Sequence, residues 1–240
     1  MTLDETLASL FPAGYQLRSE NGRIAGQGEL CNGRRIHLLG LSHGVELGID
    51  DAIVLSGQLL EISQTSDKTP ILMLIDSSSQ RMTRRDELLG LNEYLAHLAK
   101  VLLLAEHAGH RTIGLLYGGS AAGAFIATAL ATGTLIALPG AHPAVMDLPS
   151  MARVTKLSIG LLREKAEATP VFAPGLDNLT RMGAVYEIWD PERPLINQLK
   201  ALLARPAGDD IRDILGQQRY GRPKAAAIAA QVARLADSDA

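Results

Sequence analysis

Short runs of continuous apolar residues alternate along the chain with longer stretches in which apolar residues recur every three or four positions. A short apolar run bounded by glycine, proline or polar residues is typical of a strand that is buried on both faces of a sheet. Such runs predict strands at residues 34–40, 70–75, 112–117 and 184–189, and at the end of the stretch 112–138. Glycine punctuation across residues 15–41 predicts two or three strands joined by hairpin turns.

The helical period fills the intervals between these runs and predicts helices over residues 1–12, 51–64, 86–107, 144–162, 195–204 and 224–237. Asp50 is a suitable N-cap for the second of these helices, and Gly109 follows the third as a stop signal. Because strands and helices alternate through the middle of the chain, we expect an α/β fold with a largely parallel sheet and flanking helices.

The central stretch, residues 112–138, combines a buried strand, a tight turn, a helix and a second buried strand. Gly118, Gly119 and Ser120 break the first strand, and glycine lets the backbone turn sharply there. The helix predicted from Ala122 onward carries small residues at helical spacing: Ala124, Ala127, Thr128 and Ala131. The N-terminus of a helix presents unpaired N–H groups, so this turn is a candidate site for negative charge.

Three known uses of a glycine-rich turn can be tested against these residues. A dinucleotide-binding fingerprint requires a glycine where Ser120 stands, and a P-loop requires Gly-Lys-Ser/Thr where Gly123 is followed by Ala124. A hydrolase nucleophile elbow would use Ser120, with an acid and then a histidine following it in the chain. His142 is the only later histidine, and no Asp or Glu lies between it and Ser120. What remains is either an oxyanion hole made of backbone N–H groups or a tight structural connection in which the Ser120 hydroxyl stabilises the turn.

Further candidate residues follow the predicted strands. In a parallel sheet, ligands lie at the carboxyl ends of the strands, so we expect residues 76–79, 118–120 and 139–142 to be gathered there. Asp76, Ser77 and His142 are therefore candidates for contact with a substrate. The competing interpretations are that Asp76 stabilises a turn and that His142 is simply solvated.

Composition narrows the classes of function. A net charge of −3 argues against a nucleic-acid surface, and the single cysteine, Cys31, fits a reducing cytoplasm. The N-terminus lacks the basic region of a signal peptide. Residues 112–146 carry no formal charge, but glycine and proline interrupt them, so we expect no membrane span. No cluster of His, Cys, Asp or Glu has the spacing of a metal site.

The order of these motifs resembles the crotonase-like (ClpP/crotonase) carboxyltransferase domains, in which a strand ending in Asp-Ser and a long helix precede a Gly-Gly-Ser turn. The alpha half of bacterial acetyl-CoA carboxylase transferases looks similar at the corresponding positions. More closely, the chain resembles the gamma subunits of biotin-independent malonate decarboxylases. The residues that carry this resemblance are Leu47–Ala52, Gly118–Phe125, Val145–Ser150 and Arg153–Lys156.

The resemblance implies one crotonase-like carboxyltransferase domain over residues 1–240, with hairpins in an extension at 1–33 and helices at 190–240. It implies a cytoplasmic complex with a beta subunit that decarboxylates a malonyl thioester on an acyl carrier protein. The substrate would be carried on that protein's phosphoribosyl-dephospho-CoA arm, with no cofactor bound by this chain itself. An acyl carrier transferase subunit is a further implied partner.

The site residues implied by the resemblance are backbone N–H donors that stabilise an enolate or a carboxylate. The glycine pattern departs from that of the carboxylases at Ala122 and Gly123, so the donors are either Gly119 and Ser120 or Gly123 and Ala124. Gly118, Ala122, Asp76, Ser77 and His142 are the expected substrate contacts. The alternative functions are a non-catalytic structural partner in a carboxyltransferase-like complex and a carboxyltransferase half of an acyl-CoA carboxylase.

Overall fold

A seven-stranded mixed sheet forms the centre of the fold. The structure is a computed structural model and describes residues 1–168, 174–206 and 208–238. The strands in chain order are β1 (Tyr15–Glu20), β2 (Arg23–Glu29), β3 (Arg35–Leu47), β4 (Ile71–Gln80), β5 (Thr112–Leu116), β6 (Gly119–Ala121), β7 (Thr134–Ala137), β8 (His142–Ala144) and β9 (Glu187–Ile188). The large sheet has the order β1-β2-β3-β4-β5-β7-β9, and β6 and β8 form a separate parallel pair.

The middle of the sheet is parallel, as predicted. β3, β4, β5 and β7 pair in parallel, with His37 opposite Ile71 and Ile71 opposite Thr112. β1, β2 and β3 pair antiparallel, which confirms the hairpins expected before residue 41. Residues 71–75 of β4 and 112–116 of β5 are fully buried, which explains why these strands appear as unbroken apolar runs.

The helices are α1 (Leu3–Leu10), α2 (Ile49–Ser63), α3 (Arg84–Leu88), α4 (Leu91–His107), α5 (Ala122–Ala124), α6 (Leu148–Thr155), α7 (Ile159–Ala168), α8 (Leu176–Arg181), α9 (Leu195–Ala204), α10 (Arg212–Gln218) and α11 (Ala225–Ser238). A π-helical turn, Phe125–Ala129, follows α5 directly. The residues described contain no helix that is long and apolar enough to cross a membrane.

The chain divides into two compact units, Met1–Val145 with Ile188–Ala207 and Met146–Glu187 with Gly208–Ala240. The first unit holds the central sheet, and α2 and α4 pack on each other within it. In the second unit, the Arg219 guanidinium donates to the carbonyl oxygens of Thr180, Val185 and Tyr186. The prediction of one domain over residues 1–240 stays a prediction.

The start of α2 corrects the predicted N-cap. β3 continues to Leu47, and the N-cap is Gly48 rather than Asp50. The carboxylate of Asp51 takes the capping role, because its Oδ2 accepts the Gly48 N–H at 2.9 Å. The carboxylate of Asp50 instead pairs with the Arg85 guanidinium, whose hydrogen bond lowers the pKa of Asp50.

The long helix predicted over residues 86–107 is two helices. Gly90 adopts a left-handed conformation with φ of 83° between α3 and α4, so the helical ladder is interrupted there. Leu88, which the helical period placed on the buried face, is 75% exposed for this reason. Leu91, Leu95, Leu98 and Leu102 of α4 are buried as predicted.

The C-terminal part of the sequence prediction was incomplete. α9 has the predicted bounds, and α11 lies close to them, but the short helices α8 and α10 were not predicted. The helix predicted over residues 144–162 is interrupted, because α6 ends at a left-handed Lys156 before α7 begins. The strand predicted at residues 184–189 is reduced to the two residues of β9.

Candidate functional site

The polar end of β4 lies along the glycine-rich segment that begins β6, and three side chains of β4 bond to that segment. Asp76 bonds to Gly119, Ser77 to Ser120 and Gln80 to Gly123. Each bond joins residues that are 43 positions apart, so the two segments run side by side in one register. The predicted gathering of residues 76–79 with 118–120 is therefore observed.

The carboxylate of Asp76 connects two glycine turns. Its Oδ1 accepts the Gly119 N–H at 3.0 Å, and its Oδ2 accepts the Gly44 N–H at 3.2 Å. Gly44 and the preceding His43 both have a φ of 62°, and they lie where the pairing of β3 with β4 is irregular. Such irregularities in a strand re-aim the backbone beside a site, and here the irregularity directs an N–H group at a carboxylate.

Gly118 and Gly119 leave no room for side chains. A Cβ at Gly118 would overlap the Asp76 carboxylate. A Cβ at Gly119 would lie 2.6 Å from His142 Nε2 and 3.0 Å from the Ser77 carbonyl oxygen. Close approach of the backbone to a carboxylate and an imidazole is thus the physical reason for glycine at both positions.

The Ser120 hydroxyl forms a hydrogen bond with the hydroxyl of Ser77. Its Oγ lies 2.9 Å from the Oγ of Ser77, and both residues are almost completely buried. An activated serine nucleophile bonds to a general base, usually an imidazole, and this serine instead bonds to a neutral hydroxyl. The geometry supports the earlier exclusion of a Ser-acid-His triad.

Gly123 and Ala124 lie at the start of the helical segment. The Gly123 N–H donates to Gln80 Oε1 at 2.8 Å. Gly123 does not require a left-handed conformation, and a Cβ there would meet Leu95 Cδ1 at 3.0 Å and the Gln80 side chain at 3.3 Å. Ala124 is fully buried, and its carbonyl oxygen accepts the Thr128 hydroxyl at 2.7 Å.

Ala122 carries the left-handed conformation of this turn. Its φ is 51°, whereas Ala121 before it is extended and Ala124 after it is helical. A left-handed conformation costs an L-residue with a Cβ about 1–2 kcal/mol, so the surrounding contacts must hold it. Strained residues of this kind cluster at functional sites. π-Helical turns are also frequent at functional sites, and one follows here at Phe125–Ala129.

His142 belongs to a strand rather than to the predicted turn. β8 pairs with β6 in parallel, with His142 opposite Gly119, and this pairing brings the imidazole to the site. Its Nδ1 lies 3.3 Å from the Gly140 carbonyl oxygen, and the side chain is exposed. The arrangement leaves Nε2 next to Gly119, beside the segment that carries the candidate N–H donors.

Tyr117 directly follows β5 and is buried in the apolar core. Burial raises the pKa of its phenol far above the usual range, so the hydroxyl remains protonated and donates to the Leu41 carbonyl at 3.3 Å.

Across residues 1–168, 174–206 and 208–238, no group of three or more His, Cys, Asp or Glu side chains is placed to hold a metal ion.

The structure thus brings together all nine predicted site residues, in one unit of the chain. These are Asp76, Ser77, Gly118, Gly119, Ser120, Ala122, Gly123, Ala124 and His142. Gly44 and Gln80 were missed. Gly44 follows Ser42 and His43, and nothing in the sequence indicated that its N–H would reach Asp76.

Comparison with known proteins identifies relatives of the chain. Residues 42–236 match the profile of the malonate decarboxylase gamma subunit, MdcE. The chain is 26% identical over 199 residues to the malonyl-S-ACP:biotin-protein carboxyltransferase MADD of Malonomonas rubra. That alignment covers 77% of this chain and 68% of the Malonomonas protein.

Solved structures give the same neighbours. A Pseudomonas malonate decarboxylase hetero-tetramer in complex with coenzyme A contains a chain that is 26% identical, with a TM-score of 0.78 over 98% of this chain and 99% of that one. The Pseudomonas MdcD–MdcE hetero-dimer matches with a TM-score of 0.74 at 24% identity, covering 98% of this chain and 99% of that one. The transcarboxylase 12S core matches at 17% identity and a TM-score of 0.68, over 85% of this chain and 42% of that one. The fold is therefore crotonase-like.

Proposed function

This chain belongs to the malonate decarboxylase gamma subunit family, and we propose that it forms one half of an enzyme that decarboxylates a malonyl thioester to an acetyl thioester. Loss of CO2 breaks the bond between C2 and the carboxyl carbon, and the electron pair passes into an enolate of the thioester. A proton then adds to C2. The catalyst therefore needs hydrogen-bond donors at the thioester oxygen, where charge develops, and no nucleophile.

One observation carries this proposal: backbone N–H groups of the segment 119–124 already hold oxygen atoms. The Gly119 N–H binds a carboxylate oxygen at 3.0 Å, and the Gly123 N–H binds an amide oxygen at 2.8 Å. These are the distances that an oxyanion donor requires. Donors for the substrate are proposed among the N–H groups of Gly119, Ser120, Gly123 and Ala124, with Gly118, Ala122, Asp76, Ser77 and His142 around the substrate.

The side chains of β4 limit which backbone N–H groups can bind a substrate oxygen. A substrate oxygen reaches the Gly119 or Gly123 N–H only when Asp76 or Gln80 releases it, or when the N–H is shared between two acceptors. Ser120 lies within the parallel pairing of β6 with β8. In the conformation described, Ala124 is therefore the one of the four proposed donors that neither bonds to a β4 side chain nor lies in that pairing.

The proposed partners follow from the relatives. The Pseudomonas structures pair MdcE with MdcD and include a complex with coenzyme A, and the Malonomonas relative acts on malonyl-S-ACP. We propose that this chain pairs with a beta subunit and receives its substrate from an acyl carrier protein with a phosphoribosyl-dephospho-CoA arm, which a transferase subunit loads. The proposed location is the cytoplasm, and no cofactor is assigned to this chain itself.

Co-expression with the beta subunit tests the proposal. The purified pair is expected to release CO2 from a malonyl thioester, whereas this chain alone is expected to be inactive and to self-associate. The measurement is CO2 release together with size-exclusion chromatography. Strong activity from the lone chain would contradict the requirement for a partner, and an assembled but inactive pair would contradict the proposed reaction.

A second candidate function is a structural partner that shapes a site owned by the beta subunit. The observation that favours it is that Gly119 and Gly123 already use their N–H groups within the chain. Substitutions in the segment 119–124 separate the two functions. A catalytic segment loses activity while the complex still assembles, and a purely structural one loses activity only together with assembly.

A further inference from the structure

The backbone at Gln80 is fixed by hydrogen bonds of the next residue. It is the last residue of β4, and the next residue, Arg81, donates its backbone N–H to the Leu47 carbonyl at 2.9 Å. The Arg81 guanidinium also donates to the Asp51 carboxylate at 2.8 Å, and the Asp51 side chain is only 5% exposed. The backbone from which the Gln80 side chain projects is thus tied to β3 and α2.

The other end of the Gln80 bond lies next to Ala122, a strained residue of the site. The acceptor Oε1 takes the N–H of Gly123, a donor that would lack a partner at the start of a helix. Gly123 directly follows Ala122, whose left-handed conformation is unfavourable by itself. The Asp76–Gly119 and Ser77–Ser120 bonds hold the residues before Ala122, and the Gln80–Gly123 bond holds the residue after it.

We propose that Gln80 is a positioning residue for the decarboxylation, an inference that rests on the proposed function. Its side-chain oxygen keeps Gly123 in place and so maintains Ala122 in the left-handed conformation. That conformation sets the direction of the Ala124 N–H, the proposed donor that no β4 side chain occupies. If the Gln80 bond is lost, the strain at Ala122 is released by rotation of the backbone, and the Ala124 N–H turns away from the developing charge.

The test uses the assembled complex with the beta subunit. Gln80→Met keeps the size of the side chain and removes the oxygen. Because misplacement of catalytic groups by about 1 Å costs about 10²-fold in rate, we expect kcat to fall about 10- to 100-fold. The KM for the malonyl thioester should change by less than about threefold, because the donors act on charge that develops only in the transition state. Hydrogen exchange in a peptide containing residues 119–124 should become faster.

Gln198→Met is the matched control. Gln198 is a buried amide that, like Gln80, bonds to backbone: its side chain donates to the Asp190 carbonyl at 2.9 Å and accepts the Asp190 N–H at 3.0 Å. It lies in α9, which contributes none of the proposed site residues. We expect its loss to lower Tm and to leave kcat near the wild-type value. Equal loss of kcat in both variants would overturn the proposal.

The same substitution in an Ala122→Gly variant tests whether Gln80 positions the turn or merely satisfies the Gly123 N–H. Glycine adopts the left-handed conformation without strain, so Ala122→Gly removes the force that turns the backbone away. The fall in kcat caused by Gln80→Met should therefore be several-fold smaller in the Ala122→Gly background. Strictly additive effects on kcat, or an unchanged kcat in Gln80→Met despite faster exchange, would overturn the proposal. A wild-type complex without decarboxylase activity would refute the proposed function instead, and the exchange measurement would still decide whether Gln80 holds the turn.

Discussion

At the scale of single residues, the site is built from side chains that bond to backbone N–H groups. Asp76 and Gln80 accept from Gly119 and Gly123, and Asp76 also accepts from Gly44. The glycines could be predicted, because turns have a recognisable composition. The partners of their N–H groups could not, since these depend on the lateral register of β4 and β6, which local sequence does not encode.

Ser120→Ala tests the role of the serine at this scale. The variant keeps the backbone N–H, so we expect kcat within about threefold of wild type, whereas loss of a true nucleophile costs several orders of magnitude. Leaving the buried Ser77 hydroxyl without its partner should lower the unfolding free energy by about 1–2 kcal/mol. The measurements are CO2 release by the complex and thermal unfolding.

Ser77→Ala provides the matched comparison, because it removes the other half of the same bond. If the hydroxyls act only on each other, the double variant should be no less stable than the weaker single variant. A covalent acyl adduct on Ser120, detected by mass spectrometry, would contradict this interpretation.

At the scale of elements, buried strands were the most predictable part of the chain. A continuous apolar run predicts a strand that is buried on both faces, and the apolar runs of β4, β5 and β7 are buried in this way. The break at Gly90 was not predictable, since the leucine spacing continues across it. The extension of β4 to Gln80 was missed because its last residues are polar, and their partners are the backbone groups of another segment.

The junction of β3, β4 and α2 depends on one buried carboxylate. Asp51 accepts from Arg23 at 2.9 Å, from Arg81 at 2.8 Å and from the Gly48 N–H at 2.9 Å. Asp51→Asn leaves two guanidinium groups with a neutral partner, and breaking a buried pair in this way typically costs about 3–5 kcal/mol. We expect a marked fall in the midpoint of urea unfolding, followed by circular dichroism.

Asp50→Asn is the control for this prediction. Asp50 is the neighbouring residue and also pairs with an arginine, but both side chains of that pair are more than half exposed. Water compensates for the loss of an exposed pair, so the midpoint should move far less. Similar shifts for the two variants would show that burial of Asp51 contributes nothing special.

At the scale of the whole molecule, the amino ends of the parallel strands, opposite the site, make the free energy of unfolding depend on pH. His37 of β3 lies there beside Asp67 and His110, and burial lowers the pKa of its imidazole. The folded state therefore takes up a proton less readily than the unfolded state, whose histidine titrates near pH 6.5. Stability should be fully present above that pH and should fall as the pH is lowered through it.

Thermal unfolding between pH 7.5 and 5.5 checks this dependence. The fall in Tm on acidification should be smaller for His37→Asn than for wild type, because the variant has lost the group that titrates. His97→Asn, which removes an exposed histidine of α4, should behave like wild type. If the slopes of Tm against pH are the same in all three proteins, His37 does not supply the effect.

The shared separation of 43 residues has a consequence for how the chain tolerates insertions and deletions. The bonds of Asp76, Ser77 and Gln80 depend only on how β4 lies against the segment that starts at Gly119. A longer loop between α4 and β5 leaves that alignment unchanged, so we expect length to vary there without cost to the site. One residue inserted between Leu116 and Gly119 would displace all three contacts together, so we expect that short connection to tolerate no change in length.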